Sequence, residues 1–287
     1  MYKILPHRPL DPLLHQVLKQ VCISTSALSL DCFVGGAMAR DILLTHVFDQ
    51  KVQRATRDVD IGLYIDHWDQ FTRLKEHLIE SGRFVADMNG TQRLRFRSGD
   101  TASIPLDLIP FGGIAGVDHS ISWPPEHDTV LNVIGFEDAL HSAIEVNLGH
   151  DLQTKICSLP SLAVLKLIAW KDRGLTQNKD AIDFLLIVRQ YGPALNLDRL
   201  YESEQQLLIN AGGDPELAGA ALLGKDASRL CKQETSQLVA GLLSDDRLCQ
   251  RLKDHLVRAL SATMEDHDFR IVDRLVAAFT HGFTTGG

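Results

Sequence analysis

Hydrophobic residues recur every three or four positions in "LDPLLHQVLKQVCIST", which predicts a helix from about residue 11. The spacing then shortens. "LDCFVGG" reads as a short apolar strand ending in glycines, and "AMARDILLTHVF" returns to helical spacing. "DVDIGLYI" predicts a strand, and "DHWDQFTRLKEHLIESG" an amphipathic helix ended by Gly82. In "RFVADMNGTQRLRFRSGD" apolar and polar residues alternate on both sides of Asn89-Gly90, the pattern of a hairpin. "TASIPLDLIPFGG" predicts an apolar strand that stops at Pro110 and two glycines. Pro124-Pro125 breaks the next stretch, followed by a strand around residues 129–134 and a helix from about Phe136.

After Pro160 the two-residue period disappears. "SLAVLKLIAWKDRG" and "NKDAIDFLLIVRQYG" predict helices with glycine ends, and helix starts are expected at Asp214-Pro215 and at Ser244. The pattern therefore predicts an α/β (α+β) arrangement in two parts. A mixed-sheet domain with flanking helices spans residues 1–155, and a helical bundle spans 156–287. There is no internal repeat and no low-complexity tract.

Composition narrows the classes. The chain has 287 residues, is 45% hydrophobic and 23% charged, and carries a net charge of -8. That excludes a global basic field for nucleic acid or anionic lipid, so any such contact needs a local patch. The five cysteines (Cys22, Cys32, Cys157, Cys231, Cys249) contain no CxxC pair, which argues against a disulfide framework or zinc ribbon and fits a reducing cytoplasm. The twelve histidines contain no HExxH. No apolar run approaches a membrane span, and "MYKILPHRPLDPLL" lacks a signal-peptide core.

The candidate chemistry is acidic. Asp58 and Asp60 lie two apart in a predicted strand, so both carboxylates face one side. Such a pair is either a solvated strand end or a site for a cation such as Mg²⁺ bound to phosphates. Asp107 lies between Leu106 and Leu108 in an apolar strand, where a charge is costly unless it is paired or metal-bound. An arginine or backbone N–H groups could satisfy it. Alternatively, Asp58, Asp60 and Asp107 on adjacent strands form the set used in two-metal phosphoryl transfer. Gly35 and Gly36 end one strand and open a helix, the place where backbone N–H groups meet phosphate oxygens. By themselves they could equally be a tight turn.

Strand, Gly-Gly, helix, Asp-x-Asp strand and third Asp strand, in that order, resemble the DNA polymerase β-like nucleotidyltransferase superfamily. Arg40 and Asp41 follow the glycines much as in its CCA-adding branch. "LPSLAVLKLIAWKDRG" followed by "NKDAIDFLLIV" is similar to the AbiEii/AbiGii-type nucleotidyltransferases, the toxin half of many bacterial toxin–antitoxin pairs. The resemblance covers about residues 30–190 and leaves the chain after about 195 unmatched. It implies a nucleotidyltransferase fold and transfer of NMP from an NTP to an acceptor hydroxyl. Asp58, Asp60 and Asp107 would hold two Mg²⁺ ions, and Gly35, Gly36, Arg40, Lys166, Lys179 and Asp183 would handle the nucleotide. The implied acceptor is tRNA or protein, and the implied partner a cognate antitoxin. A small-molecule nucleotidyltransferase of the antibiotic-modifying kind and a non-catalytic nucleotide-binding scaffold stand as alternatives.

Read as residues alone, Lys166 in "LAVLKLIAW" either reaches solvent or meets an anion. Asp180 and Asp183 share a helix face and could simply be ion-paired. Arg93, Arg95 and Arg97 alternate along one strand face, either as a phosphate-binding row or as a solvated edge. Arg54, Thr56 and Arg57 precede the acidic pair and could contact phosphate or balance charge.

Overall fold

The computed structural model describes every residue except 51–55, 57, 88–91, 99–101, 126, 262–269 and 287. The chain divides into two compact units, Met1–Ser158 and Leu159–Gly287.

The first unit runs β1 (Tyr2–Lys3), α1 (Pro12–Ala27), β2 (Cys32–Val34), α2 (Gly36–Asp41), β3 (Val59–Tyr64), α3 (Trp68–Glu80), β4 (Phe84–Ala86), β5 (Arg93–Ser98), β6 (Ala102–Phe111), β7 (Ser120–Ser122), β8 (Val130–Asn132), α4 (Phe136–His141), β9 (Ile144–Asn147) and β10 (Gln153–Ile156). Eight strands form one mixed sheet in the order β1-β9-β10-β2-β3-β6-β5-β4, and β7 and β8 pair separately. At its centre β3 and β6 are parallel, while β2 on one flank and β5 on the other run antiparallel to them.

Local chemistry accounts for these elements. Asp11 caps α1 by accepting from the N–H groups of Leu13 and Leu14, with Pro12 preset for the first turn. The helix buries Leu14, Val17, Leu18 and Val21, and α3 buries Phe71, Leu74 and Leu78. Gly82 adopts φ +73°, the left-handed conformation that lets the chain leave α3. In β3 and β6 the residues Val59, Ile61, Leu63, Leu106 and Leu108 are fully buried, so Asp60 and Asp107 share the opposite, less buried face.

Two features depart from the pattern. The helix after Gly36 relaxes into π-helical turns over Ile42–Val47, bringing Ile42, Leu43 and Leu44 all inside. The helix starting at Phe136 stops at His141, and the β9–β10 hairpin follows it. Its turn holds Gly149, His150 and Asp151 with positive φ. Four-residue strands carry too little alternation to be recognised, yet this hairpin supplies the neighbour of β2, pairing Ile156 with Val34. The Asn89-Gly90 turn lies outside the described residues, but β4 and β5 pair antiparallel around it, Val85 opposite Arg95.

The second unit is helical throughout: α5 (Leu159–Arg173), α6 (Lys179–Gln190), α7 (Leu197–Tyr201), α8 (Gln205–Asn210), α9 (Pro215–Leu230), α10 (Gln233–Ser244), α11 (Asp246–Ser261) and α12 (Arg270–Thr285). Asp214 caps α9 as expected, with Pro215 in the first turn. Ser244 ends α10 rather than starting a helix, and Asp245 caps α11 through the N–H groups of Arg247 and Leu248. Gly192 does not terminate α6. The chain passes through π-helical turns over Tyr191–Leu195, and a β-carbon at Gly192 would fall 2.6 Å from the Gly219 Cα. α9 and α12 approach as closely: a β-carbon on Gly282 would fall 1.9 Å from the Ala221 carbonyl oxygen.

None of the five cysteines forms a disulfide. Among the described residues no helix is long and apolar enough to cross a membrane.

Candidate active site

β2 delivers the chain into Gly35 and Gly36. The Gly35 N–H donates to the backbone carbonyl of Asp60 at 2.8 Å, which ties the turn to β3. Gly36 takes φ +59° and lies against the Asp60 side chain, where a β-carbon would fall 1.8 Å from Oδ2. Only glycine permits both the conformation and the approach. The two expected elements, glycine turn and acidic strand, are thus in contact.

Asp60 and Asp107 are register partners on the adjacent parallel strands β3 and β6. Asp58, exposed, lies just ahead of β3. On the other side of β6, Arg93 is the register partner of Asp107 and holds its carboxylate with two bonds, Nε to Oδ1 at 2.7 Å and Nη2 to Oδ2 at 2.6 Å. These bonds raise the Arg93 pKa first of all. Partial burial opposes them, and the charges of Asp107, Asp58 and Asp87 add to the rise. Asp58 is therefore part of the same field. Asp60, Asp107 and Arg93 form a row across three strands, with one arginine set among three aspartates.

Among the described residues no three His, Cys, Asp or Glu side chains stand close enough to form a metal site. The donor set still suits a hard cation. Its oxygens are carboxylates, two of the three aspartates are side by side, and the field already draws one cation, Arg93, to Asp107.

The other predicted residues are distributed as follows. Arg40 is 1% exposed, and its guanidinium binds Asp41 Oδ1 through Nε at 2.8 Å and Nη2 at 2.5 Å. Arg95 pairs with Asp87 at 2.7 Å, while Arg97 is exposed, so the three alternating arginines do not act as one row. Arg54 and Arg57 lie outside the described residues. Thr56 donates its backbone N–H to Asp41 Oδ2 at 3.1 Å.

In the helical unit Lys166 is buried on α5 and meets both acids of α6, Asp180 at 3.1 Å and Asp183 at 2.5 Å. Arg173 adds a two-point contact to Asp180, at 2.6 and 2.9 Å. Burial alone would raise the Asp180 pKa, but the Arg173 hydrogen bond and the charges of Lys166 and Arg173 outweigh it, and the pKa is lowered. Lys179 is exposed at the start of α6. The α5–α6 pattern thus folds into an ion-pair cluster of its own.

Three residues were missed by sequence reasoning in these roles: Arg93 as the partner of Asp107, Arg173 as the partner of Asp180, and Asp41 as the acceptor for Thr56. Alternation singled out Arg93, but nothing in the sequence named its partner.

A mixed sheet with a glycine turn against an Asp-x-Asp strand, and a third aspartate on the neighbouring strand, defines a nucleotidyltransferase-type domain. The chain belongs to the family described as "Nucleotidyl transferase AbiEii toxin, Type IV TA system", which matches residues 16–270, and it is a nucleotidyltransferase. The match extends well past residue 195, where sequence reading found no resemblance. No curated protein matches the chain. Similar solved structures include the antibiotic-resistance factor ANT(2'')-Ia in solution, with TM-score 0.36 and 12% identity, covering 71% of this chain and 98% of that one. A Thermotoga maritima CCA-adding enzyme complexed with tRNA matches with TM-score 0.27 and 10% identity over 97% of this chain and 82% of that one. A CCA-adding enzyme in complex with ATP matches with TM-score 0.25 and 11% identity, over 96% and 80%. At these scores the assignment rests on the family match.

Proposed function

We propose that this protein transfers a nucleoside monophosphate from an NTP to an acceptor hydroxyl on tRNA or protein. It acts in the cytoplasm as a toxin restrained by a cognate antitoxin. The observation that carries the chemistry is the apposition of Asp60 and Asp107 on parallel strands with Gly36 pressed against Asp60. The acceptor hydroxyl oxygen attacks the α-phosphorus and gives up its proton to solvent, the bond from that phosphorus to the bridging oxygen breaks, and pyrophosphate leaves.

Asp58, Asp60 and Asp107 would hold Mg²⁺, two ions in the arrangement the family uses. Bound Mg²⁺ would offset triphosphate charge and polarise the reacting phosphoryl group. Gly36 contributes space that the Asp60 carboxylate fills, so that acid sits directly against the start of the helix. Arg93 orients Asp107, and its exposed side would be in reach of phosphates bound beside that carboxylate. Lys166, Lys179 and Asp183 are nucleotide-handling residues by family pattern. The Lys166–Asp183 pair also braces α5 against α6.

The test is incubation of purified protein with Mg²⁺ and each α-phosphorus-radiolabelled NTP, with and without total bacterial tRNA, beside an Asp58→Ala/Asp60→Ala control. Label on RNA or protein that needs the aspartates supports the reading and identifies base and acceptor. No label with any NTP overturns the RNA and protein acceptors and leaves a small-molecule acceptor or a scaffold.

A further inference from the structure

Asp41 is a buried carboxylate whose two oxygens reach different parts of the chain. Its side chain is 11% exposed, and Oδ1 takes the Arg40 guanidinium through two bonds. Oδ2 accepts the backbone N–H of Thr56, fifteen residues further on and two before Asp58. Asp41 ends α2, the helix that Gly36 opens. The carboxylate thus joins the far end of the glycine-turn helix to Thr56, two residues ahead of Asp58.

A surface carboxylate could bond an amide by chance. This one is enclosed with its counter-ion Arg40, which is 1% exposed, so the guanidinium cannot swing away without baring a charge. Arg40 thereby fixes Oδ1, and Oδ2 is directed at Thr56. The glycine turn meets β3 through Gly35 N–H and Asp60 O, and the helix end meets Thr56 through Asp41. Sheet pairing holds the strand from Val59 onward, and the Asp41 bond fixes the backbone at Thr56, so Asp58 lies between two anchored points.

We infer that Asp41 is a positioning residue of the transfer reaction, holding the Thr56 amide so that Asp58 stays in register with Asp60 for metal binding. Arg40 serves by locking Asp41. This inference rests on the proposed metal-dependent transfer.

Its test uses the full-length protein, Thr56→Pro and Asp41→Asn. Thr56→Pro deletes the amide donor and leaves the Arg40–Asp41 pair in place. Asp41→Asn keeps the shape and loses the charge. The readouts are Mn²⁺ binding by electron paramagnetic resonance, kcat and KM for the NTP, Tm, and hydrogen exchange at the Thr56 amide. The expected result is Mn²⁺ affinity and kcat each reduced about tenfold or more in both variants, with NTP KM nearly unchanged and Thr56→Pro keeping its cooperative melt. In the wild type the Thr56 amide exchanges slowly, and in Asp41→Asn it exchanges fast.

Thr56→Pro with wild-type Mn²⁺ affinity and kcat overturns the inference, as does rapid exchange of the Thr56 amide in the wild type, whatever the variants do. A wild type that transfers label and binds Mn²⁺, beside an equally competent Asp41→Asn, sinks this inference alone. A wild type that does neither sinks the proposed transfer with it.

Discussion

Gly36 and Asp60 touch so closely that no side chain fits between them: a β-carbon on Gly36 would fall 1.8 Å from Asp60 Oδ2. The contact joins the strand–glycine–helix turn to the acidic strand. Gly36→Ala must either push the Asp60 carboxylate aside or shift the start of α2. Left-handed φ adds about 1–2 kcal/mol of strain. We predict at least ~100-fold lower transfer activity with the fold retained, because misplacing a reacting group by about 1 Å costs that much. Label transfer and thermal melting of the variant check it. Full activity would mean that Asp60 does not work where the structure places it.

Asp60→Asn keeps shape and removes charge. Its expected effect is about a thousandfold loss of kcat or more, with Tm close to wild type. Full activity in this variant would remove Asp60 from the metal-binding set.

Arg93 competes with any cation for Asp107. Its side chain is about one-third exposed, so the pair is worth at most about 1 kcal/mol. Arg93→Gln should therefore tighten Mn²⁺ binding by up to about fivefold, the equivalent of that energy, while lowering kcat through loss of Asp107 orientation. A titration of Mn²⁺ against both proteins decides. Weaker binding in the variant would show that Arg93 shapes the site rather than competing for it.

Lys166→Met would leave Asp180 and Asp183 buried without their shared lysine. Removing one member of a buried ion pair costs about 3–5 kcal/mol, and Tm should fall accordingly. Lys166→Met/Asp180→Asn/Asp183→Asn should recover much of the loss. If Lys166→Met melts like wild type but raises KM for the NTP, the lysine's main partner is phosphate.

Acid stability follows from the same cluster. The folded Asp180 pKa lies below its unfolded value of 3.8. At a pH between the two, the unfolded chain binds a proton that the folded protein does not. The stabilisation is complete above the unfolded value and drains away as pH falls toward the folded one. Arg173→Ala should narrow the loss of Tm between about pH 5 and about pH 3. An identical loss in both proteins would exclude Asp180 as its source.

What the sequence determined by itself was the order of parts. Gly35-Gly36 after an apolar strand, Asp58-x-Asp60 opening another and Asp107 in a third were readable, because strand periodicity and local turn chemistry act within a few residues. So was the change from sheet to helices near Pro160. The partners were not readable. Arg93 opposite Asp107 depends on the β5–β6 register, where a slip of one residue would turn Arg93 to the other face. Lys166 read equally well as solvent-reaching or anion-bound, and only the packing of α5 against α6 put it between two buried acids. Gly192 looked like helix punctuation until its backbone met that of Gly219. The π-helical turns over Ile42–Val47 and the short β9–β10 hairpin likewise came from packing, which overrides weak local preference. Asp41 belongs to this second group. Its bond to Thr56 spans fifteen residues, and no local pattern encodes a distance that the fold alone closes.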